Sequence, residues 1–478
     1  MGVDHLKTTK NKKGKVIVFA ERTKRIMKKR ILTGAAVAAL GGLALFGLAS
    51  CGEQGSSVSD GGKVLNIRVW NDEFISRFRD YYPEIKSEDK KNEQFTLKDG
   101  TVVKFQMTAN QGGAYQNALD TALKAQDTAK ADDKVDMFLF EADYALKYVN
   151  SKYTVDVKDL GLTDNDTKDM YDYTKKIASV DGKLKGVSWQ ATPGLFAYRT
   201  DIADEVLGTH DPAEVQKKVA DWSKFDSVAA QMKEKGYAML SGYDDSYRVF
   251  SNNIKAPLVN KDKKIVIDDQ LKAWIKQTKE YTDKGYNNKT SLWDTSWNAQ
   301  QTINGNTFGF FFSTWGINFT LAGNAEIKND AGENLVGKYR VCEGPASYYW
   351  GGTWIAAAAG TDNKSQILDI MKKLTCDATI AEKITRDTLD YTNNKTAMNK
   401  LANDPKYGSD FLGGQNHVAL FAQAAPKIDM SNISAYDQTI NEKLQEAMKD
   451  YFVGTVTEDK AWENFYKKVT DIHKELSK

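Results

Sequence analysis

The segment from Lys63 to Val149 constrains the fold most tightly, because its apolar residues change period repeatedly along the chain. Residues 63–70 (KVLNIRVW) alternate and are β-rich, which predicts a strand. Residues 72–82 place apolar side chains at helical spacing up to Pro83, and residues 101–109 (TVVKFQMTA) predict a second strand. A Gln111-Gly112-Gly113 turn then opens a helix expected over 113–129, followed by a short apolar strand at 135–140 (VDMFLF) and a short helix at 142–149. Strands alternating with helices build a mostly parallel sheet. Such sheets place ligands at the loops that follow strand C-termini. Those loops begin here with Trp70-Asn71-Asp72-Glu73, with Ala109-Asn110-Gln111 and with Glu141-Ala142-Asp143.

The remaining chain is too long for one small core: 478 residues predict two or three compact units. Strand-like pieces occur at 184–199 around Pro193-Gly194, at 307–312 (TFGFFF), at 337–342 and at 352–359 (GTWIAAAA). Helical spacing covers 212–235, 268–284, 362–375, 380–387, 436–450 and 458–476. Trp222, Trp274 and Trp462 fall on these helices and read as core residues. Thr457, with Glu458 and Asp459 after it, is placed to cap the last helix.

The N-terminal region differs in kind. Residues 1–30 are basic, residues 31–50 (ILTGAAVAALGGLALFGLAS) are apolar and uncharged, and Cys51 follows. This order describes an export signal over 1–50, with Met27 able to begin a leader of ordinary length. A membrane span of the same residues is the alternative. The exit Leu48-Ala49-Ser50-Cys51 decides between them, because it resembles the bacterial lipoprotein signal, in which the Cys is lipidated and becomes the mature N-terminus. Residues 51–62, rich in Gly and Ser, then predict a flexible tether.

The formal charge of +2 belongs to the leader. Setting aside the 11 Lys+Arg and 2 Asp+Glu of residues 1–50 leaves 55 against 62, or −7 for the body. A mildly acidic body without a basic patch is unsuited to nucleic acid. The sequence contains no GxGxxG opening a helix, no GxxxxGK[ST], no HExxH and no GxSxG. Three Cys and four His leave little room for a zinc site, so neither cofactor nor metal is expected. Cys342 and Cys376 show no spacing signature and read as two inert thiols, with a disulfide as the alternative in an exported protein.

Aromatic placement carries the positive signal. Trp70 ends a strand, Trp189 lies beside a Pro-Gly turn, and Trp293 and Trp297 sit four apart in SLWDTSWN. Trp315 follows an apolar strand, and Tyr348-Tyr349-Trp350 precede Gly351-Gly352. Core packing explains each singly. Together they lie mostly in loops rich in Gly, Asn, Asp, Ser and Thr, which suits a ligand with apolar faces and a hydroxyl rim, such as a sugar.

Ordered segments along residues 51–478 resemble the extracellular solute-binding lipoproteins of carbohydrate ABC importers, the class that includes maltodextrin-binding proteins. They are the lipidation signal at Cys51, the opening strand ending in Trp70, Val135–Asp143, Asp181–Val187 with Tyr198–Asp201, Asp221-Trp222, Asn306–Gly316, Gly351-Gly352 with Asn363-Lys364, and Gly454–Ala461. Departures are Leu184 and Lys185 where Tyr is frequent nearby, and Phe308-Gly309-Phe310 in place of an Ala-Met pair.

The resemblance implies an α/β, two-lobed periplasmic-binding-protein-like fold whose hinge the chain crosses three times. It assigns 61–163 and 350–388 to lobe one, and 164–349 and 389–478 to lobe two. It implies a non-enzymatic receptor, monomeric and anchored through Cys51 on the extracytoplasmic side of the cell membrane. That receptor would hold a carbohydrate, an oligosaccharide by the number of aromatics, and deliver it to importer permease subunits. By the same carry-over the ligand contacts are Trp70, Asp72, Glu73, Asn110, Gln111 and Asp143 from lobe one. Trp189, Trp293, Trp297 and Trp315 come from lobe two, Tyr349, Trp350 and Gly351 from the loop near the hinge, and Arg386 as a bridge to a hydroxyl or carboxylate. Two alternatives stay open: a receptor for a polyamine or peptide, and a surface enzyme acting on glycans.

Overall fold

A computed structural model describes residues 63–478; the leader, Cys51 and the tether over 51–62 lie outside the described residues. A seven-stranded sheet is built from β1 (Val64–Val69), β2 (Ile85–Asp89), β3 (Gln94–Leu97), β4 (Val102–Met107) and β5 (Met137–Glu141), with contributions from later in the chain. A two-stranded hairpin, β6 (Ser179–Val180) and β7 (Lys183–Leu184), leads into β8 (Val187–Ser188). The second lobe holds β9 (Gly194–Arg199), β10 (Leu240–Gly242), β11 (Asn287–Thr290), β12 (Gly309–Ser313) and β13 (Tyr339–Cys342), after which β14 (Thr353–Ala357) returns to the first sheet.

The first sheet runs in the order β2-β3-β4-β1-β5-β14-β8. β1 pairs in parallel with both β4 and β5, as the strand–helix alternation predicts. β14 joins antiparallel, with Trp354 opposite Phe140. β5 is central and buries Met137, Phe138, Leu139 and Phe140 in succession, as a strand covered on both faces must. The helix Glu73–Tyr81 lays Phe74, Ile75 and Phe78 against one face, with Leu65, Ile67 and Ile355. Asp136, fully buried, ties the start of β5 to its neighbours by accepting from the Asn66 amide at 2.8 Å and from Thr361 Oγ1 at 2.6 Å.

The hairpin β2–β3 is not evident from sequence periodicity. Its strand Ile85–Asp89 buries none of its residues fully and carries Lys86, Glu88 and Asp89, the kind of charged edge that discourages further pairing. The expected helix at 113–129 is shorter than its periodicity suggests, and the one at 362–375 changes type within its length. The first is α-helical over Ala114–Lys124, and the second passes from α-helix at Met371 into a π-helical turn over Lys372–Cys376.

In the second lobe, β9 is central between β12 and β13, antiparallel to both. Phe196, Phe308 and Phe311 pack there with Phe225 from the helix Trp222–Glu234, which Asp221 caps by accepting from the Lys224 amide. A second core gathers Leu271, Trp274, Leu444, Met448 and Phe465 from three helices. Trp274 is fully buried and Trp222 half-buried, stacked on Phe250 at 4.1 Å. Thr457 caps the last helix, accepting from the Lys460 amide at 3.3 Å. Cys342 and Cys376 are both free thiols, and burial raises their pKa to about 12 and about 11.

The chain passes between the two sheets after β8 and before β14, and beyond the helix Ala378–Thr388 the helix His417–Ala424 packs against β9 of the second sheet. β8 falls within the stretch 164–349 that the resemblance assigns to lobe two, yet it is the edge strand of the first sheet, because it pairs with β14 and buries Val187 beside Ile355. The passages are joined by bridges between Gln190 and Thr392 and between Pro193 and Tyr349. Gly194 is required there: a Cβ on it would lie 2.1 Å from the Tyr348 ring.

Candidate functional site

Because β1, β4 and β5 run parallel, the three loops singled out in the sequence start from one edge of the first sheet. Trp70 is half-buried there, its ring edge-on to Tyr115 at 5.3 Å and to Tyr144 at 6.4 Å. Asn110 Oδ1, Gln116 Oε1 and the Tyr144 hydroxyl are buried at this edge without a hydrogen-bond partner. Asp72 and Gln111 are exposed.

Facing elements of the second lobe supply the aromatic cluster. β12 ends at Ser313, and Trp315 leads into a π-helical turn over Gly316–Leu321, a geometry frequent at functional sites. Trp315 Nε1 donates to the Trp350 carbonyl at 2.9 Å, and the Trp350 ring lies parallel to Phe312, 6.0 Å away at 7°. Trp293 stacks on Trp315 at 6.0 Å and 25°, and its centroid is 6.1 Å from Trp350. Trp293 is 56% exposed and sits at φ +73°, a left-handed conformation costly for a bulky residue. Gly351, at φ +75°, lets the backbone approach the cluster: a Cβ there would sit 3.3 Å from Trp315 Nε1.

The other end of the same region is charged. Arg248, on the helix Tyr247–Ser251, donates through Nη1 to Asp143 Oδ1 at 2.7 Å and through Nη2 to Asp143 Oδ2 at 2.5 Å. Both side chains are largely buried, 14% and 17% exposed for Asp143 and Arg248. Burial opposes the Arg248 charge, and the adjoining Asp143 carboxylate more than offsets it, so the guanidinium pKa is raised. Glu141 accepts from the Asp143 amide at 2.8 Å; burial and the Asp143 charge push its carboxyl up to about 8. Burial raises Asp437 to about 7. Tyr349 lines a cavity of about 20 Å³ with Asp143, Arg248 and Asp437, room for one water molecule. The loop Tyr349–Gly351 therefore joins the charged end to the aromatic end.

A third group lies where the passages between lobes meet. Glu73 accepts from Gln190 Nε2 at 3.2 Å and lies 3.9 Å from Arg77 Nη2, which is 3.6 Å from Asp390 Oδ2. Thr314 donates to Asp390 Oδ1 at 2.7 Å. Burial raises the Glu73 carboxyl to about 7, against the pull of Arg77.

Three expected ligand residues are placed elsewhere. Trp189 is buried in the first-lobe core, stacked on Phe74 at 5.2 Å, because it directly follows edge strand β8. Trp297 is buried under the aromatic cluster, its Nε1 donating to Asp245 Oδ1 at 2.8 Å. Arg386 lies on an exposed helix face, bonded to Glu382 at 2.9 Å and Asp404 at 3.1 Å. Asp143, expected to meet a ligand, is engaged by Arg248. Sequence reading missed Arg248, Asp437, Arg77 and Asp390, which carry no local pattern; Arg248 meets Asp143 and Arg77 meets Asp390 only because the fold brings distant segments together. Among the described residues no cluster of His, Cys, Asp and Glu could hold a metal, and no helix is long and apolar enough to cross a membrane.

The profile of the bacterial extracellular solute-binding proteins matches residues 92–410. Among curated protein sequences none matches this chain. Solved structures share its fold at low identity. A family 1 extracellular solute-binding protein is 17% identical, with a TM-score of 0.67 over 85% of this chain and 99% of that one. The sugar-binding protein MalE from the phytopathogen Xanthomonas citri is 14% identical, with a TM-score of 0.62 over 86% and 97%. An ABC transporter associated binding protein from B. animalis subsp. lactis Bl-04, in complex with beta-1,6-galactobiose, is 16% identical, with a TM-score of 0.60 over 86% and 98%. At such identities the likeness shows the fold, a two-lobed α/β architecture.

Proposed function

From the premise that this chain belongs to the bacterial extracellular solute-binding proteins, we propose that it captures a saccharide between its lobes and delivers it to an ABC importer. The observation that carries the sugar reading is the cluster of Trp293, Trp315 and Trp350, whose indole planes meet at one place with Trp293 open to solvent. Pyranose rings present apolar C–H faces that suit such planes, and their hydroxyls need the polar groups of a cleft. Asn110 Oδ1 and the Tyr144 hydroxyl, buried without partners beside Trp70, are fitting acceptors and donors for that purpose. Of the proteins sharing the fold, one is in complex with beta-1,6-galactobiose and another is a sugar-binding protein, which supports the same solute class. In this reading Trp70, Asp72, Glu73, Asn110, Gln111, Trp293, Trp315, Tyr349, Trp350 and Gly351 form the binding surface, with an oligosaccharide as solute.

The receptor is monomeric and breaks no bond. It is tethered to the cell membrane through lipidated Cys51 after removal of residues 1–50, and works with permease subunits. Its lobes follow the division into 61–163 with 350–388 and 164–349 with 389–478, the first hinge passage being shifted to 189–193 by the pairing of β8. Closure around the hinge presents the loaded form to the permeases.

A thermal-shift screen of sugars, amines and peptides tests this, since a solute that binds only the folded state raises apparent stability by mass action. Oligosaccharides are expected to raise the melting temperature. If amines do so and every saccharide leaves it unchanged, the solute is a polyamine.

A further inference from the structure

We propose that Asp143 and Arg248 form a latch between the lobes, holding the charged end of the cleft shut independently of any solute at the tryptophans. The inference rests on the reading above of two lobes that move. Asp143 directly follows β5 of the first lobe, and Arg248 belongs to the second, so the paired hydrogen bonds of 2.7 and 2.5 Å span the cleft itself. A guanidinium fork facing a carboxylate is the strongest and most directional of side-chain ion pairs.

Arg248 is held rigidly for this task. On one side of it Tyr247 donates to Asn441 Oδ1 at 2.6 Å and packs edge-on to Trp274; on the other Phe250 stacks on Trp222 at 4.1 Å. A second cross-cleft bond lies nearby, from Gln116 Nε2 of the first lobe to Gln438 Oε1 of the second at 2.8 Å. The cavity left beside the pair, about 20 Å³, admits a water molecule and excludes a pyranose ring. The two lobes thus make their own contact at this end, and a saccharide is confined to the tryptophan end.

The charges make the latch asymmetric. Asp437 lines the same cavity as the pair and Glu141 accepts from the Asp143 amide at 2.8 Å, so loss of Arg248 leaves three carboxyl groups together across the gap, whereas loss of the Asp143 charge leaves the guanidinium other acceptors. Arg248→Gln should therefore open the lobes more than Asp143→Asn.

The test is electron–electron spin distance measurement on the full chain with labels at Lys124→Cys and Lys276→Cys, one on a helix of each lobe, in a Cys51→Ser, Cys376→Ser background. After dialysis to remove bound solute, the parent is expected to show one distance, with about a tenth or less in a longer-distance state. Arg248→Gln should move about half or more of the molecules to the longer distance, and Asp143→Asn a smaller share. If both variants, shown folded by circular dichroism, keep the parent distribution, there is no latch. If the dialysed parent is already at the longer distance and saccharides shorten it, the latch is wrong and the sugar reading stands. If Arg248→Gln opens and no saccharide recloses it, the latch stands and the sugar reading falls.

Discussion

The two ends of the cleft are built on opposite principles. At one end, Trp293 and Trp315 present indole surface that nothing in the chain fully covers, and Trp293 is 56% exposed. At the other, Asp143 and Arg248 satisfy each other across the gap and leave space for a single water. An exposed apolar face gains by meeting a ligand. A completed ion pair gains nothing from one and must be broken to admit it. In the proposed reading, solute recognition and lobe–lobe contact are separated along the cleft, with the loop Tyr349–Gly351 running between them.

Substitutions can break or sharpen this contrast. The largest effect is expected beneath the aromatic end, at Trp297→Ala. This buried ring supports Trp293 at 5.4 Å, and its removal should cost about 3–5 kcal/mol of unfolding free energy, read by denaturant melts. Trp315→Ala comes next: calorimetry with the best saccharide should show a loss of about 2 kcal/mol, roughly 30-fold in Kd, at a small cost in stability. Trp293→Ala, at the exposed rim, should lose about 1 kcal/mol. Equal losses for all three in affinity and in stability alike would remove the distinction between supporting and contacting rings.

The buried carboxyls give a pH-dependent effect. Glu141, Glu73 and Asp437 have carboxyl pKa values raised in the folded state, to about 8, 7 and 7. The folded protein therefore binds more protons than the unfolded chain between the ordinary carboxylate range and pH 8, and stability should fall as pH rises through that window. Glu141→Gln should flatten part of that fall in melting temperatures taken from pH 5 to pH 8. An unchanged slope would show that Glu141 does not titrate there. Last, Arg386→Ala should leave saccharide affinity unchanged, since its partners Glu382 and Asp404 lie on the surface.

Elements with a strong single period were legible in the sequence, and those that depend on partners were not. β1, β4, β5 and the helix Glu73–Tyr81 follow directly from apolar spacing, because each buries one face or both. The edge hairpin β2–β3 escaped because its charged residues suppress the alternation. Loop composition pointed to Trp293 and Trp315, which keep accessible surface, and to Trp350, which is buried as Trp274 is. It failed at Trp189 and Trp297, which also flank loops but turn inward, because a tryptophan's direction depends on the strand or helix it follows and not on its polar neighbours. Arg248 was invisible for a different reason: its partner Asp143 is 105 positions away.

The placement of β14 has a consequence for how the protein is made. It lies between β5 and β8, pairing with both, yet it is synthesised more than 160 residues after β8. While a ribosome works through the intervening second lobe, β5 and β8 each keep an unsatisfied edge, and the first sheet cannot close. So late a closure carries a large entropic toll and delays folding. The first sheet is therefore complete only once the chain has been made through Ala357.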